Sequence, residues 1–353
     1  MAAKYQLLAA QLRQQRISLL RKGEHHFPSE TQLREETGYS RDTVRHAIQL
    51  LEKEGLLVRV RGSGTYLTES SRDGIGRIAV LTCWRDEYLY PQLLRDIETV
   101  FRQRNYRTVQ YFTSNSMEAE RKILQQLLAD PPAGILMEGA KSALPDPNQD
   151  LLDSLEKQGV PLVWLHSPVI RGTGICVQDD NIGGGKLLTK YLLDKGHRRI
   201  AGIFKYDDGQ GPERYQGYMA ELLQAGCIPK DETVCWYGTK EREALLKGRL
   251  DWLHRFVSSE LRDCTAVVCY NDEIAYPLIQ CLLMAGKRVP EDVAVVSFDN
   301  SHYCRQGPVT ITSLGHEKHQ MGSSAALALL AKMRGKQVRS VFLPWIIYER
   351  ESG

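Results

Sequence analysis

Two arginines lie four residues apart in the stretch YSRDTVRHAIQLLEKEG (residues 39–55), at the beginning of an amphipathic pattern. Arg41 and Arg45 fall on one face of the helix that this pattern predicts. The apolar residues that repeat at helical spacing along another face are Val44, Ala47, Ile48 and Leu51. The charged face is either ordinary solvated surface or a surface for an anionic partner, and the neighbouring elements must decide between the two.

Capping signals predict that this helix is the second of two short helices joined by a tight turn. Ser29 followed by Gln32 has the form of a capping box, which predicts a helix beginning at Glu30. Ser40 can cap the helix that carries the two arginines. An apolar pattern in residues 4–21 predicts a preceding helix. Because a tight turn that contains Gly38 joins the two short helices, they are typical of a helix-turn-helix.

A predicted β-hairpin follows the two helices. The segment LLVRVRGSGTYLTE (residues 56–69) alternates apolar and polar residues, with Gly62 and Gly64 at the turn. A hairpin behind a helix-turn-helix makes a winged helix, whose second helix enters the DNA major groove by its N-terminal end. Arg41 and Arg45 lie at that end, where arginine can donate two hydrogen bonds to guanine or pair with phosphate.

Other polar side chains of this region could contact the phosphates or the minor groove. They are Ser40 and Thr43 at the start of the helix, and Arg59 and Arg61 beside the glycine-rich tip of the wing. The alternative is a solvated face on a winged helix that is used for protein contacts.

The stretch from Pro28 to Thr65 closely resembles the winged-helix domain of GntR-family repressors. The matching elements are the PSE opening, the S-R-x-T-V-R motif, the E-G-L-L turn and the R-G-x-G-T wing. The resemblance implies that the DNA-contacting residues are Ser29, Glu30, Ser40, Arg41, Thr43, Arg45 and Gly64. Glu30 could accept a hydrogen bond from a cytosine amine, or it could serve only as a carboxylate at a helix start, where the dipole favours it.

Composition places this region in a soluble, cytoplasmic protein of two or three domains. The chain has 353 residues and a net charge of +3, but residues 1–72 carry 12 Lys+Arg against 8 Asp+Glu, while the remainder carries 34 against 35. We expect no signal peptide and no membrane segment, because no long apolar stretch occurs. Because the eight cysteines are scattered without a CxxC pair, buried free thiols are favoured over a disulfide framework or a zinc site.

After residue 76 the pattern changes to short apolar runs that alternate with amphipathic stretches. The runs include RIAVLT (77–82), AGILMEG (133–139), TAVVCYN (265–271) and VAVVSFD (293–299). Such alternation predicts parallel sheets of the doubly wound type, and about 270 residues suit two lobes. The expected division is a winged-helix domain (1–68), a linker (69–76) and a two-lobed domain (77–353), with a first lobe of 77–196 and 309–334 and a second lobe of 197–308 and 335–353.

Polar residues follow these predicted strands, where ligands of open α/β sheets bind. Carboxylates and amides can hydrogen-bond hydroxyl groups and aromatic faces can pack on C–H surfaces, so the set suits a neutral polyhydroxylated ligand. The candidates are Tyr88, Tyr90, Glu138, Lys141, His166, Asp180, Lys205, Asp207, Arg214, Asn271 and Asp299. The glycine-rich DDNIGGGK (179–186) lacks the spacing of a nucleotide loop. We expect no metal site at His316 and His319, which lie three apart on a predicted helix without further ligands.

The segment from about Arg77 to Glu349 resembles the effector domain of lactose/galactose-type repressors, which is itself similar to periplasmic sugar-binding proteins. The motifs that carry the resemblance are DKGHRRIAGI, PERYQGY, TAVVCYNDEIA and VPEDVAVVSFDNS. It implies sugar contacts from Arg214, Asn271 and Asp299. Each has a structural alternative, because Arg214 could pair with a carboxylate, Asp299 could cap a loop and Asn271 could cap the next helix.

The two resemblances together predict an α+β winged helix-turn-helix joined to a periplasmic-binding-protein-like α/β domain, a combination similar to the arabinose-responsive repressors. The implied protein is a homodimer on a palindromic operator that a monosaccharide, L-arabinose, releases, with Lys205, Asp207, Asp208 and Gln210 lining or gating the cleft. The alternatives are a repressor for another sugar, a transport binding protein and an enzyme. No cofactor is expected, and an enzyme is disfavoured because the chain lacks a nucleophile elbow, a Walker motif and a zinc triad.

Overall fold

The computed structural model of the chain describes residues 4–21, 24–54, 56–60, 63–67, 76–166, 174–261 and 263–353. Contacts divide the chain into two units, one formed mainly by residues up to 77 and the other by most of the remainder. Within the described ranges, no helix is both long and apolar enough to span a membrane. The predicted linker lies outside the described residues except for Gly76.

The first unit is the expected winged helix. Its elements are α1 (Lys4–Arg21), β1 (His26–Phe27), α2 (Glu30–Thr37), α3 (Arg41–Lys53), β2 (Leu57–Val60) and β3 (Gly64–Leu67). The strands form an antiparallel sheet in the order β1-β3-β2. The predicted capping box is present, because the Ser29 Oγ accepts from the Gln32 backbone N–H and the Gln32 side chain accepts from the Ser29 backbone N–H.

The core of this unit is the predicted apolar stripe of α3 packed against the other elements. Val44, Ala47, Ile48 and Leu51 are all buried, as the spacing indicates. They lie in one cluster with buried apolar residues of α1, α2 and the wing, namely Leu8, Leu12, Leu33 and Leu67. The opposite face of α3 is exposed, which leaves Arg41 and Arg45 on the surface.

The second unit contains two six-stranded sheets. The first consists of β4 (Arg77–Thr82), β5 (Arg107–Phe112), β6 (Gly134–Met137), β7 (Leu162–Leu165), β8 (Ile175–Asp179) and β14 (Val341–Leu343), in the order β14-β8-β7-β6-β4-β5. The second consists of β9 (Ile200–Lys205), β10 (Val234–Tyr237), β11 (Ala266–Cys269), β12 (Ala294–Phe298), β13 (Thr312–Gly315) and β15 (Ile346–Tyr348), in the order β10-β9-β11-β12-β13-β15. All pairings in the second sheet are parallel except that of β15 with β13.

Helices between the strands cover the sheets. They are α4 (Tyr90–Arg102), α5 (Met117–Ala129), α6 (Gln149–Lys157), α7 (Asn181–Asp194), α8 (Gln210–Gln224), α9 (Thr239–Leu246), α10 (Asp251–Arg255), α11 (Asp272–Met284) and α12 (Gln320–Met333). The first lobe has an apolar core around Leu81 and Ile135. The second lobe has two apolar clusters, one that contains Val267 and one that contains Phe298. The doubly wound architecture predicted from the alternating pattern is therefore present.

The predicted lobe boundaries are wrong at three places. Helix α7 was assigned to the first lobe, but its Leu188 and Leu192 lie in the core of the second, so the chain changes lobes near residue 180. Strand β13 belongs to the second sheet and β14 to the first, the reverse of the prediction. The physical reason is that an apolar helix face or a short strand fits either sheet equally well, and only long-range packing chooses.

Candidate effector cleft and DNA-binding surface

A cleft with a cavity volume of about 220 Å³ lies where the carboxyl ends of strands from both lobes meet. Seven of the eleven predicted effector residues line it: Tyr88, Tyr90, Glu138, His166, Lys205, Asn271 and Asp299. Asp208 and Gln210, which the resemblance placed in or near the cleft, also line it. The rule that polar residues after parallel strands converge thus brought together most of the predicted set.

Four predicted residues do not line the cleft, and local hydrogen bonds explain three of them. Asp180 is exposed and caps α7, because its side chain accepts from the Gly183 backbone N–H. Lys141 is half-buried and its backbone N–H donates to Asn115. Asp207 accepts two hydrogen bonds from Thr239. These three predictions are corrected, because each residue follows a strand but does not line the cleft.

Arg214 is the fourth residue, and it lies buried behind the cleft wall. Its Nη2 is 3.2 Å from Asp299 Oδ1, and its Nε donates to Asn181 at 3.0 Å. The guanidinium carbon is 4.3 Å from the centre of the Phe298 ring. Arg214 therefore pairs with a carboxylate, the structural alternative left open by the sequence, and through this pair it positions Asp299.

Asp299 lies on a strained turn at the end of β12. Its φ of 94° is in the left-handed region, which is rare for a residue other than glycine. The backbone N–H of Asp299 donates to Leu314, and its Oδ2 accepts from the Tyr88 hydroxyl at 2.9 Å. Because Tyr88 belongs to the first lobe and Asp299 to the second, this hydrogen bond joins the lobes across the cleft.

Lys205 is a buried ammonium held by two carboxylates. Its Nζ is 3.1 Å from Asp207 Oδ1 and 2.5 Å from Asp208 Oδ2. Burial alone would lower the pKa of Lys205, but the two carboxylates outweigh it and raise the pKa. The lysine therefore stays charged, and Lys205 in turn lowers the pKa of Asp207 although burial opposes this.

Asp179 at the end of β8 binds two histidines. Its Oδ1 is 2.7 Å from His316 Nε2 and its Oδ2 is 3.5 Å from His166 Nδ1. Burial would raise the pKa of Asp179, yet the two imidazoles hold it well below its usual range. The same carboxylate raises the pKa of His166 against the effect of burial. The prediction of His316 and His319 on a helix is wrong, because α12 begins only at Gln320.

Glu138 forms a third polar group of the cleft. Its Oε1 accepts from the Tyr90 hydroxyl and its Oε2 from the Cys83 backbone N–H, both at 2.8 Å. Burial raises the pKa of Glu138, although His166 and these donors favour the carboxylate. Asn271 lines the cleft as well, but its side chain also caps α11 by accepting from the Ile274 N–H.

Several cleft residues were not among the sequence candidates. Asp179 ends β8, whereas the predicted residue is its neighbour Asp180, and the sequence analysis names His316 only as a metal ligand that is not expected. Trp345, whose indole stacks on the His316 ring at 4.0 Å, follows a strand too short to be predicted. Arg242 comes from a helix, and no signal in the sequence marks it.

The two cationic side chains of lysine and arginine that line the cleft are paired with carboxylates. Arg242 binds Glu273 through two hydrogen bonds of 2.6 and 2.8 Å, as Lys205 binds its aspartates. Aromatic rings of Trp84, Tyr270 and Trp345 line the same space. A cleft with many hydrogen-bonding groups, aromatic walls and cationic side chains that are already paired with carboxylates suits an uncharged polar ligand better than an anion. The described residues contain no cluster that could hold a metal ion.

On the winged helix, most of the predicted DNA-contacting residues lie at the N-terminal ends of α2 and α3, and Gly64 lies in the wing. Ser40 caps α3 by accepting from the Thr43 N–H at 3.3 Å. The Glu30 carboxylate is engaged within the domain, because Arg59 Nη2 lies 2.6 Å from its Oε1. Gly64 begins β3 with a φ of 120°, a conformation that favours glycine. The predicted contact Arg61 lies outside the described residues.

Two family models match the chain. Residues 4–67 match bacterial regulatory proteins of the gntR family, and residues 189–352 match a periplasmic binding protein-like domain. An arabinose metabolism transcriptional repressor from Halalkalibacterium halodurans is 33% identical over 310 residues, covering 86% of this chain and 82% of the relative. A repressor of the same name from Geobacillus stearothermophilus is 32% identical over 339 residues, covering 94% and 92%.

The chain belongs to the family of arabinose metabolism transcriptional repressors. Its fold agrees with solved regulators. A CelR–cellobiose complex superimposes with a TM-score of 0.66 at 24% identity, covering 93% of this chain and all of that one. A GntR regulator from Chromobacterium violaceum gives 0.65 at 24% identity, covering 78% and 98%. Membership of this repressor family makes the chain a DNA-binding transcription regulator rather than an enzyme, as the sequence predicted.

Proposed function

We propose that this repressor binds a palindromic operator as a homodimer and releases it when a monosaccharide, L-arabinose, occupies the cleft. The observation that carries the effector half is the cleft itself, where Lys205, Asp208 and Asp299 are already charge-paired. Because Lys205 is already paired, it does not favour an anionic ligand. The remaining lone pairs and N–H groups of these side chains can still hydrogen-bond to sugar hydroxyls. The choice of L-arabinose is supported by the names of the two relatives above.

On the DNA side, the exposed N-terminal turn of α3 supports base reading by Arg41 and Arg45. Both side chains point away from the buried stripe, and Ser40 and Thr43 at the same end present hydroxyls to phosphates. Winged-helix and related readers bind half-sites one turn apart as dimers, which is why a homodimer is proposed. Because Glu30 is paired with Arg59, we propose it as a cytosine acceptor only when that ion pair rearranges.

The effector acts by favouring one arrangement of the lobes. Tyr88 bonds Asp299 and Asn115 bonds Asp208, each from the first lobe to the second. A sugar that touches both walls binds the joined lobes more tightly than separated ones, and only this difference can change DNA affinity. A coupling on the order of 1–3 kcal/mol would weaken operator binding by about 5- to 150-fold.

The test uses the full chain and DNA selected in vitro by that chain from a random library. Fluorescence anisotropy should show that L-arabinose weakens binding, while D-arabinose, D-ribose and D-galactose at equal concentration do not. Thermal unfolding in parallel should show stabilisation of about 2.7 kcal/mol at 100 times the Kd. If only another sugar weakens operator binding, that sugar is the effector. Unchanged affinity for the operator with every sugar would overturn the effector mechanism.

Arg45→Ala separates the two halves of the proposal. It should weaken selective operator binding but leave the sugar-induced thermal shift intact, because Arg45 lies in the other unit. Sedimentation of the wild-type chain at operator-binding concentration should give a dimer. A monomer under these conditions would contradict the proposed symmetry of the complex.

A further inference from the structure

Two residues that line the cleft each carry a buried polar atom without a hydrogen-bond partner in the described part of the chain. These atoms are the Tyr237 hydroxyl and Arg242 Nη1. Tyr237 is 1% exposed and Arg242 is 6% exposed, so water reaches neither side chain freely. Buried polar groups in native proteins are nearly always hydrogen-bonded, and each exception calls for an explanation.

The remaining atoms of Arg242 are fully engaged. Its Nε and Nη2 donate to Glu273, and Nη2 also lies 2.9 Å from Glu87 Oε2 of the first lobe. The Trp84 ring centre lies 4.4 Å from the guanidinium carbon. These contacts fix the plane of the guanidinium and compensate its charge with two carboxylates. What is left at Nη1 is an oriented N–H donor without excess positive charge.

Aromatic contacts also hold the ring of Tyr237 in place. It ends β10, and its ring stacks on Trp252 at 5.6 Å and meets the edge of Tyr270 at 6.1 Å. Burial raises the pKa of Tyr237, so the phenol keeps its proton at neutral pH. Other buried tyrosines differ, because Tyr218 donates to the Ile200 carbonyl and Tyr270 donates to Gln210.

Tyr237 and Arg242 come from one strand-to-helix turn, since α9 begins two residues after β10 ends. We propose that the Tyr237 hydroxyl and Arg242 Nη1 form an effector subsite that binds an uncharged hydroxyl group of the sugar. This inference rests on the proposed function and adds two binding residues to it. An arginine N–H only donates, whereas a phenol both donates and accepts, so one sugar hydroxyl can accept from Arg242 and donate to Tyr237.

The carboxylates beside Arg242 argue against an anionic ligand at this subsite. Glu87 and Glu273 both contact Arg242, so a phosphate or carboxylate would meet two fixed negative charges. A hydroxyl group meets no such repulsion and supplies the missing partners of both atoms. The subsite should therefore discriminate between sugars by the presence and configuration of one hydroxyl, not by charge.

Tyr237→Phe tests the proposal in the full chain, with L-arabinose as the probe. Because the hydroxyl has no partner within the described chain, its removal should leave the melting temperature of the sugar-free protein unchanged or higher. The affinity for L-arabinose, measured by calorimetry, should fall about 10-fold. Tyr218→Phe is the matched control, because it removes a bonded hydroxyl outside the cleft and should lower the melting temperature while leaving sugar affinity unchanged.

A deoxy-sugar series identifies the hydroxyl. For the wild-type protein, one monodeoxy-L-arabinose should bind about 10-fold more weakly than L-arabinose. For Tyr237→Phe, the same deoxy sugar and L-arabinose should bind with equal affinity. Unchanged L-arabinose affinity in Tyr237→Phe, with wild-type binding intact, would overturn the subsite and leave the proposed function standing. A wild-type chain that binds none of the sugars would overturn both.

Arg242→Lys provides a second variant that keeps the positive charge beside Glu273. Lysine cannot present the oriented Nη1 donor, so this variant should also lose about 10-fold in affinity for L-arabinose. Retained affinity in Arg242→Lys, in a protein with wild-type melting behaviour, would remove Arg242 from the subsite.

Discussion

Asn115 links the two lobes, and an isosteric change there tests whether joined lobes are needed for effector binding. Its Nδ2 donates to Asp208 Oδ1 at 3.1 Å and to Thr239 Oγ1 at 2.7 Å, both in the second lobe. Its Oδ1 accepts from the Lys141 backbone N–H at 2.6 Å. Asn115→Asp keeps the size and the Oδ1 acceptor but replaces the donor with a second carboxylate oxygen.

The introduced oxygen would lie about as far from Asp208 as the present nitrogen, 3.1 Å. Two unit charges at that distance repel by about 5 kcal/mol at an effective dielectric constant of about 20. The Lys205 ammonium, 2.5 Å from the other oxygen of Asp208, offsets part of this. We therefore expect Asn115→Asp to destabilise the joined arrangement of the lobes by about 2–3 kcal/mol. An effector that binds this arrangement should then lose about 30- to 160-fold in affinity.

Calorimetric titration of the full chain with L-arabinose at pH 7 and at pH 5 measures this penalty. The loss should shrink at the lower pH, because a carboxyl group beside a like charge has a raised pKa and takes up a proton. Asn105→Asp is the matched control, since both asparagines have a positive φ (55° at Asn115 and 61° at Asn105) but Asn105 is exposed. Equal affinity of Asn115→Asp and wild type at pH 7 would refute the link between lobe contact and effector binding.

Three further predictions concern DNA contact, the winged-helix core and pH. Arg45→Ala should weaken specific operator binding by about 1–3 kcal/mol in anisotropy titrations, since it removes an exposed guanine-reading side chain. Ile48→Ala should destabilise the winged helix by about 2–5 kcal/mol in urea unfolding, because the side chain is 1% exposed. Burial raises the pKa of Glu120 from its usual 4.5 to about 7. The folded chain therefore binds more protons than the unfolded chain in that window, and Glu120 should cost up to about 3 kcal/mol of stability as pH rises through it. Glu120→Gln should flatten this dependence in unfolding curves from pH 4.5 to 8, and an unchanged slope would contradict the assignment.

The winged helix could be predicted almost completely, because its signals are local. The Ser29 and Gln32 capping box, the Ser40 cap and the buried stripe of α3 each involve residues within two turns of one another. The wing follows from alternation over a dozen residues. Contacts between residues this close in the sequence follow from residue spacing, so the pattern alone predicts them.

For the two-lobed domain, the fold class could be predicted from the sequence, but the assignment of short strands and helices to each lobe could not. Continuous apolar runs predicted the central strands β4, β6, β11 and β12. The strands β10, β13, β14 and β15 were not predicted. Which sheet a short strand or an apolar helix joins depends on packing between distant segments, as α7 shows.

The candidate cleft follows the same division. Residues at strand ends, such as Tyr88, Glu138 and Asp299, were predicted because parallel strands bring their carboxyl ends to one edge. Asp180 and Lys141 were wrong for the cleft because a cap or a turn holds them. Arg242 and Trp345 were missed because they reach the cleft from a helix and from the far end of the chain.

The sequence by itself determined the domain types, the family and the kinds of side chain that meet at the strand ends. Those properties depend on residue type and near-neighbour spacing. The tertiary structure alone decided which charges are neutralised and which buried polar atoms lack a partner. Arg214 meets Asp299 across 85 residues of chain, and Arg242 meets Glu87 across 155. No periodicity encodes such pairs, because they form only when segments far apart in the chain pack together.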